Sequence, residues 1–224
     1  MKRRTLDIIF AAGGIAVALI LVVLGAFVYG QYQFSTDYVK QELSAQKITF
    51  TAPDKLSAEE KSWKAGSSCL TEFGGQLMQT GAQAECYASY YIALHMETAA
   101  NTAGFPGATY ATLGSTQTDL RNQIAAAKAK NDQATVDATQ KKLDAAASLR
   151  TTMQTGETLR GLLLTTYGFS VIGQIAGYAA YALFALTIVM VALSVAGFVH
   201  AFVTPEDEVV FQPKGQWTPA PVTA

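Results

Sequence analysis

Residues 8–29 read IIFAAGGIAVALILVVLGAFVY, from Ile8 to Tyr29, 22 residues without a charge. As a helix this stretch is roughly 33 Å long, enough for a hydrocarbon core of about 30 Å. The uncharged run continues to Thr36, and Tyr29, Tyr32 and Phe34 form an aromatic belt at its far end. A second uncharged run extends from Gly161 to Pro205, apart from the titratable His200. Its membrane part fits best from Gly177 to Phe202, with Tyr178 and Tyr181 at one end and His200 at the other. Ionised side chains in hydrocarbon cost several kcal/mol, so a bilayer demands such blocks and a water-soluble core does not.

The expected organisation is a cytoplasmic N-terminus over 1–7, a first span over 8–30 and an extracytoplasmic domain over 31–174. A second span over 175–203 and a cytoplasmic tail over 204–224 complete it. The first block is too long for the 7–15-residue core of a signal peptide, and no small-x-small cleavage pattern or lipobox cysteine follows it. Lys2, Arg3 and Arg4 beside the first span place the N-terminus in the cytoplasm. Two spans return the tail to the same side. The loop between them, with 12 Lys/Arg and 13 Asp/Glu, is then outside, in or on the cytoplasmic (inner) membrane.

Both cysteines, Cys69 and Cys86, lie in that loop. In an oxidising compartment they pair, closing a loop of roughly 18 residues and contributing about 3 kcal/mol in the chain-entropy model. The alternative is two unpaired buried thiols. A metal site fails on count, because only one histidine, His95, shares that side.

The fold class expected is mainly α: two transmembrane helices flanking a helical domain with a helical hairpin and at most a short strand. Thr36 to Leu43 reads as helix, continuing the first span or restarting after a break. Lys47 to Phe50 alternates like a short strand that Pro53 ends. Ser57 and Glu60 suit a capping box for a short helix through Trp63. Gly66, Gly74, Gly75 and Gly81 mark turns. Glu85 to Ala99 reads as helix, and Asn101 to Gly114 as a loop. Thr116 and Asp119 offer a cap for the hairpin over 116–156, which turns at Asn131-Asp132. Its thin seam sets Leu120, Ile124 and Ala127 against Val136, Leu143, Ala147 and Met153. The proline-bearing tail from Pro205 reads as extended or disordered unless a partner orders it.

Little in the sequence points to chemistry. His95 and His200 are a bilayer apart, so they cannot share a metal or a catalytic site. No Ser sits in a nucleophile elbow, although Glu85 and Glu97 lie near His95. His95 is expected to be a half-buried helix residue hydrogen-bonded to a neighbour, and His200 to anchor its helix at the interface. No phosphate loop is present: Gly104-Phe105-Pro106-Gly107 lacks the lysine and the following helix. The expectation is a protein that is not an enzyme, with no catalytic, cofactor-binding or metal residues and no cofactor. Near-zero net charge and the lack of a basic face give no reason to propose nucleic acid.

What the spans do carry is small residues at packing intervals. Gly14, Ala18 and Gly25 share a face of the first; Gly173 and Gly177 form G-x-x-x-G, and Ser194, Gly197 and Ala201 share a face further along. Close packing on small residues drives helix association in lipid. Either the spans pack on each other or they dock against a larger complex. Several faces and no charge favour docking, with lipids as further contacts.

Five stretches resemble a set of actinobacterial two-span membrane proteins. They are 1–7 with the apolar run behind it, 46–50 (QKITF), 83–88 (QAECYA), 156–164 (GETLRGLLL), and 194–197 (SVAG) before 200–203 (HAFV). The likeness covers most of the chain except the tail and is no active-site motif. Some members are labelled aromatic ring-opening dioxygenases, which the histidine count here contradicts. One resembles the association factor of the mycobacterial respiratory supercomplex, where a cytochrome bc-type complex and an aa3-type cytochrome oxidase are joined. The resemblance implies an accessory-subunit role with those two complexes as partners. A stand-alone envelope sensor is the second expectation; the short tail beyond Pro205 counts against it. An enzyme stands last.

Overall fold

The computed structural model describes residues 2–205. The expectation for the tail beyond Pro205 lies outside them. The chain is mainly helical and divides into two compact units. One joins residues up to Gln33 with residues from Gln174; the other is Phe34–Gly173.

Two helices are long and apolar enough to cross a membrane: α1, Arg3–Ala45, and α7, Gln133–Val203. Each is unbroken. α1 therefore continues through Thr36 to Leu43 rather than restarting. It stops where Lys47 adopts the left-handed conformation, φ 54°, after Gln46 and Lys47 donate to the Leu43 and Ser44 carbonyls. α7 runs through Gly156, Gly161, Gly168, Gly173 and Gly177, although glycine costs a helix interior up to about 1 kcal/mol per residue. Two of these fill close approaches inside their own unit. Gly156 lies under Met96, whose sulfur would stand 2.6 Å from an added Cβ, and Gly173 lies against Ser35.

In Phe34–Gly173 five shorter helices pack with the ends of α1 and α7. They are α2 (Ala58–Ser62), α3 (Ser68–Glu72), α4 (Gly81–Cys86), α5 (Ala93–Thr102) and α6 (Tyr110–Ala129). α2 carries the expected capping box: Ser57 N donates to Glu60 Oε2 at 2.7 Å and Glu60 N to Ser57 Oγ at 3.1 Å. Gly81 departs from the turn reading. It opens α4 behind a second box, Thr80 with Gln83, and its missing side chain admits Ser170. The expected strand over Lys47–Phe50 reduces to a single antiparallel bridge, Thr49 to Leu77, and no strand occurs among the described residues. Phe50 N donates to Gln76 O and Met78 N to Ile48 O, but the partner segment lies between the Gly74-Gly75 turn and the α4 cap, which leaves no room for a longer ladder.

Between α4 and α5, Tyr87–Ile92 forms a π turn. A π turn leaves carbonyls without their usual helical donors. Here Arg160 Nε donates to Ala88 O at 3.0 Å, and the same guanidinium binds Glu157 at 2.9 Å. The loop after α5 is shorter than expected. α6 begins at Tyr110, capped by Thr109 with Thr112, and Thr116 is a mid-helix residue whose hydroxyl donates to Thr112 O. α6 ends at a tight connection, with Asn131 at φ 54°, before α7. Ile124, Ala127 and Val136 bury one another there, with Leu143 against them. Of the expected seam, Leu120 and Met153 belong instead to the main core around Leu70, Met78 and Leu113, and Ala147 is exposed.

Candidate functional site

In the unit of apolar helices, α1 and α7 meet through their smallest residues. Gly14 lies against Ser194, and Gly197 against Ala11, whose Cβ would be 3.3 Å from an added Cβ. Gly25 meets Phe184 and Gly177 meets Tyr32, at 2.8 and 2.9 Å by the same measure. Ala18 is 3% exposed, Ala180 and Ala201 0%. These contacts run in one antiparallel register. Gly14, Ala18, Gly25, Gly177, Ser194, Gly197 and Ala201 therefore serve the internal pair, and Gly173 serves Ser35 in the other unit. The seven small residues of the pair are thus engaged within it, while Gly13 and Gly30 of α1 have nothing against them. The outward faces carry large residues: Phe10, Leu19, Val23, Phe27, Ile188 and Phe202 are each more than half exposed.

Polar and aromatic contacts close this pair at both ends. Tyr29 packs edge-on against Tyr181 and Phe184. His200 Nδ1 lies 3.0 Å from Asp7 Oδ2, and Thr204 donates to His200 O. Arg4 stands over the Phe202 ring at 5.7 Å. The sequence reading gave His200 an anchoring role without Asp7. The register of Gly14 with Ser194, extended by two turns, is the signal that pairs them.

In Phe34–Gly173 the two cysteines are joined as a disulfide, Cα–Cα 6.1 Å, tying α3 to the end of α4. From there an aromatic row leads outward: Phe73, Phe50, Tyr87, Tyr91 and His95, each within 6 Å of the next. Burial, with Tyr91 close by, raises the Tyr87 phenol above its ordinary value. His95 is exposed rather than half-buried. Its Nδ1–H donates to Tyr91 O at 2.8 Å, and Nε2 is 3.7 Å from Glu60 Oε1. His95 also edges an open groove of about 660 Å³ with Tyr91, Met96, Thr152 and Gly156. Thr151, Thr152 and Thr155 line that groove too, but their hydroxyls donate to carbonyls of their own helix, leaving methyls to face it.

No cluster of three or more His, Cys, Asp or Glu able to hold a metal occurs among the described residues. Set against protein-family models, curated proteins and solved structures, the chain matches none.

Proposed function

We propose that this chain is a non-catalytic accessory subunit of a membrane complex, the actinobacterial cytochrome bc–aa3 respiratory supercomplex being the assembly its resemblance implies. In this reading both termini are cytoplasmic, Phe34–Gly173 is the extracytoplasmic domain, and the connected ends of α6 and α7 form a hairpin standing out from the membrane. The observation that carries it is the construction of the two apolar helices. They pair internally through one row of small residues and turn uncharged side chains outward, many of them large. A partner within the membrane would meet those outward faces. The Cys69–Cys86 bridge supports an oxidising compartment for the domain.

The test is purification of tagged protein in mild detergent, followed by haem spectra and identification of co-eluting chains. Co-elution with b-, c- and a-type haem subunits is expected. Elution without haem would remove the reading. The open groove beside His95 favours a second reading, a stand-alone envelope sensor, but Thr methyls on one wall leave few polar groups to recognise a ligand.

A further inference from the structure

One apolar surface of Phe34–Gly173 opens beside its core. Between the last turns of α1 and residues 159–169 of α7 lies a groove of about 460 Å³. Val39, Leu43, Ile48, Leu159, Leu162 and Phe169 supply its apolar walls. Thr165 and Thr166 also line it, but their hydroxyls donate to Gly161 O and Leu162 O at 2.8 and 2.9 Å, so they offer methyls. Leu159, Leu162, Phe169 and Ile172 recur at intervals of three and seven, which sets them along one side of the helix. Leu162 and Ile172 are 63% and 65% exposed.

Lipid is a poor cover for this side. Ser35 Oγ donates to Phe169 O at 3.1 Å and packs on Gly173. The turns of α1 that follow Ser35 therefore lie beside the turns of α7 that precede Phe169. Those α1 turns carry Asp37, Lys40 and Glu42, all exposed. Charges at that level place it outside the hydrocarbon, so acyl chains do not solvate Leu162 and Phe169. Glu42 is the one Asp, Glu, Lys or Arg among the described residues lining the groove, and it makes no ion pair among them. A second copy is also a poor occupant. A two-fold contact sets groove on groove, and the lining of the groove holds no Lys or Arg to face Glu42.

We infer that the groove seats an apolar α-helix of a partner protein, anchored by aliphatic side chains at helical intervals, with a Lys or Arg opposite Glu42. The inference rests on the accessory-subunit reading and names the surface through which it operates.

A benzophenone side chain placed at position 162 of the full-length protein in native membranes tests it. The expected product is one adduct whose mapped peptide is an apolar helical segment with a basic residue within a turn of the linked atom. Glu42→Lys should cut its yield about ten-fold, and Glu42→Asp should leave it. The intact Cys69–Cys86 bridge, read from mobility without reductant, certifies folding of each variant; if Glu42→Lys loses it, Glu42→Gln takes its place. A dimer of this chain, lipid adducts alone, no adduct, or a yield indifferent to charge at position 42 would overturn the inference. If haem subunits co-purify while position 162 links to nothing, the groove is lost and the accessory role stands. Protein that elutes without haem removes both.

Discussion

Where α1 and α7 pair as apolar helices, contact is made by residues with almost no side chain: Gly14, Ala18, Gly25, Gly177 and Gly197. In Phe34–Gly173 it is made by Leu70, Met78 and Leu113, all but completely buried. On the membrane reading, two solvents account for the difference. Moving a leucine from lipid to a helix interface gains little, so association there depends on backbones approaching closely and on polar contacts such as Asp7 with His200. In water the same leucine is driven inward by roughly 25 cal/mol per Å² of apolar surface. Large-to-small changes should therefore hurt the domain, and small-to-large changes should hurt the helix pair.

The largest effect expected is from Leu113→Ala. Leu113 is 0% exposed, and truncating such a residue costs about 3 kcal/mol, within a range of about 2 to 5. Trp63 fluorescence during chemical unfolding, in a Trp217→Phe background, reports the domain. Its midpoint should fall well below the parent's. An unchanged midpoint would show that this core relaxes around the cavity.

Next comes the covalent tie. Replacing both Cys69 and Cys86 by Ala should destabilise the domain by about 3 kcal/mol, the loop-closure value for a separation of 17 residues. Dithiothreitol should have the same effect on the parent and none on the double variant. Thiols that alkylate in intact cells without reductant would contradict an oxidising location for the domain.

Gly25→Leu inverts the logic. An added Cβ would stand 2.8 Å from Phe184 Cε1, so the helices must part or Phe184 must move, at about 1–3 kcal/mol. Thermal loss of helical signal in detergent should begin earlier, while the Trp63 transition stays in place. If the Trp63 transition shifts equally, the contrast between the two units fails.

The same contrast governs what was legible in the sequence. The apolar helices were visible because charge is missing from them over whole turns, and Ser57 with Glu60 was visible because a capping box is local. Thr80 with Gln83 is an equally local box, but Gly81 behind it invited a turn reading; only Ser170, far away in sequence, explains that glycine. Thr109 escaped because its partner is Thr112, outside the usual Glu/Gln pattern, while Thr116 and Asp119 imitated a cap inside a continuous helix. The π turn at Tyr87–Ile92 has no local mark, since Arg160, which satisfies Ala88 O, is 72 residues away. The groove beside Glu42 was equally hidden. Its walls, Leu43 and Leu162, come from α1 and α7, the first and last helices.

The smallest predicted effect separates the two units by pH. At the start of α7, Thr135 donates to Asp132 through its hydroxyl at 2.6 Å and its backbone N–H at 3.1 Å. These bonds favour the carboxylate and hold Asp132 below the ordinary carboxylate range, its side-chain bond to Thr135 being the larger cause. A folded value below the unfolded one stabilises the domain above the unfolded value, near 3.9, and that contribution is lost as pH falls through the lower folded value. Wild type should therefore be more stable than Asp132→Asn at pH 6, by the Trp63 midpoint, and the gap should close progressively below pH 4. Asp132 is fully exposed, so solvent keeps the effect small. A gap that persists unchanged to pH 3 would mean that the neutral acid caps α7 as well as the carboxylate does, leaving charge no part in the contrast.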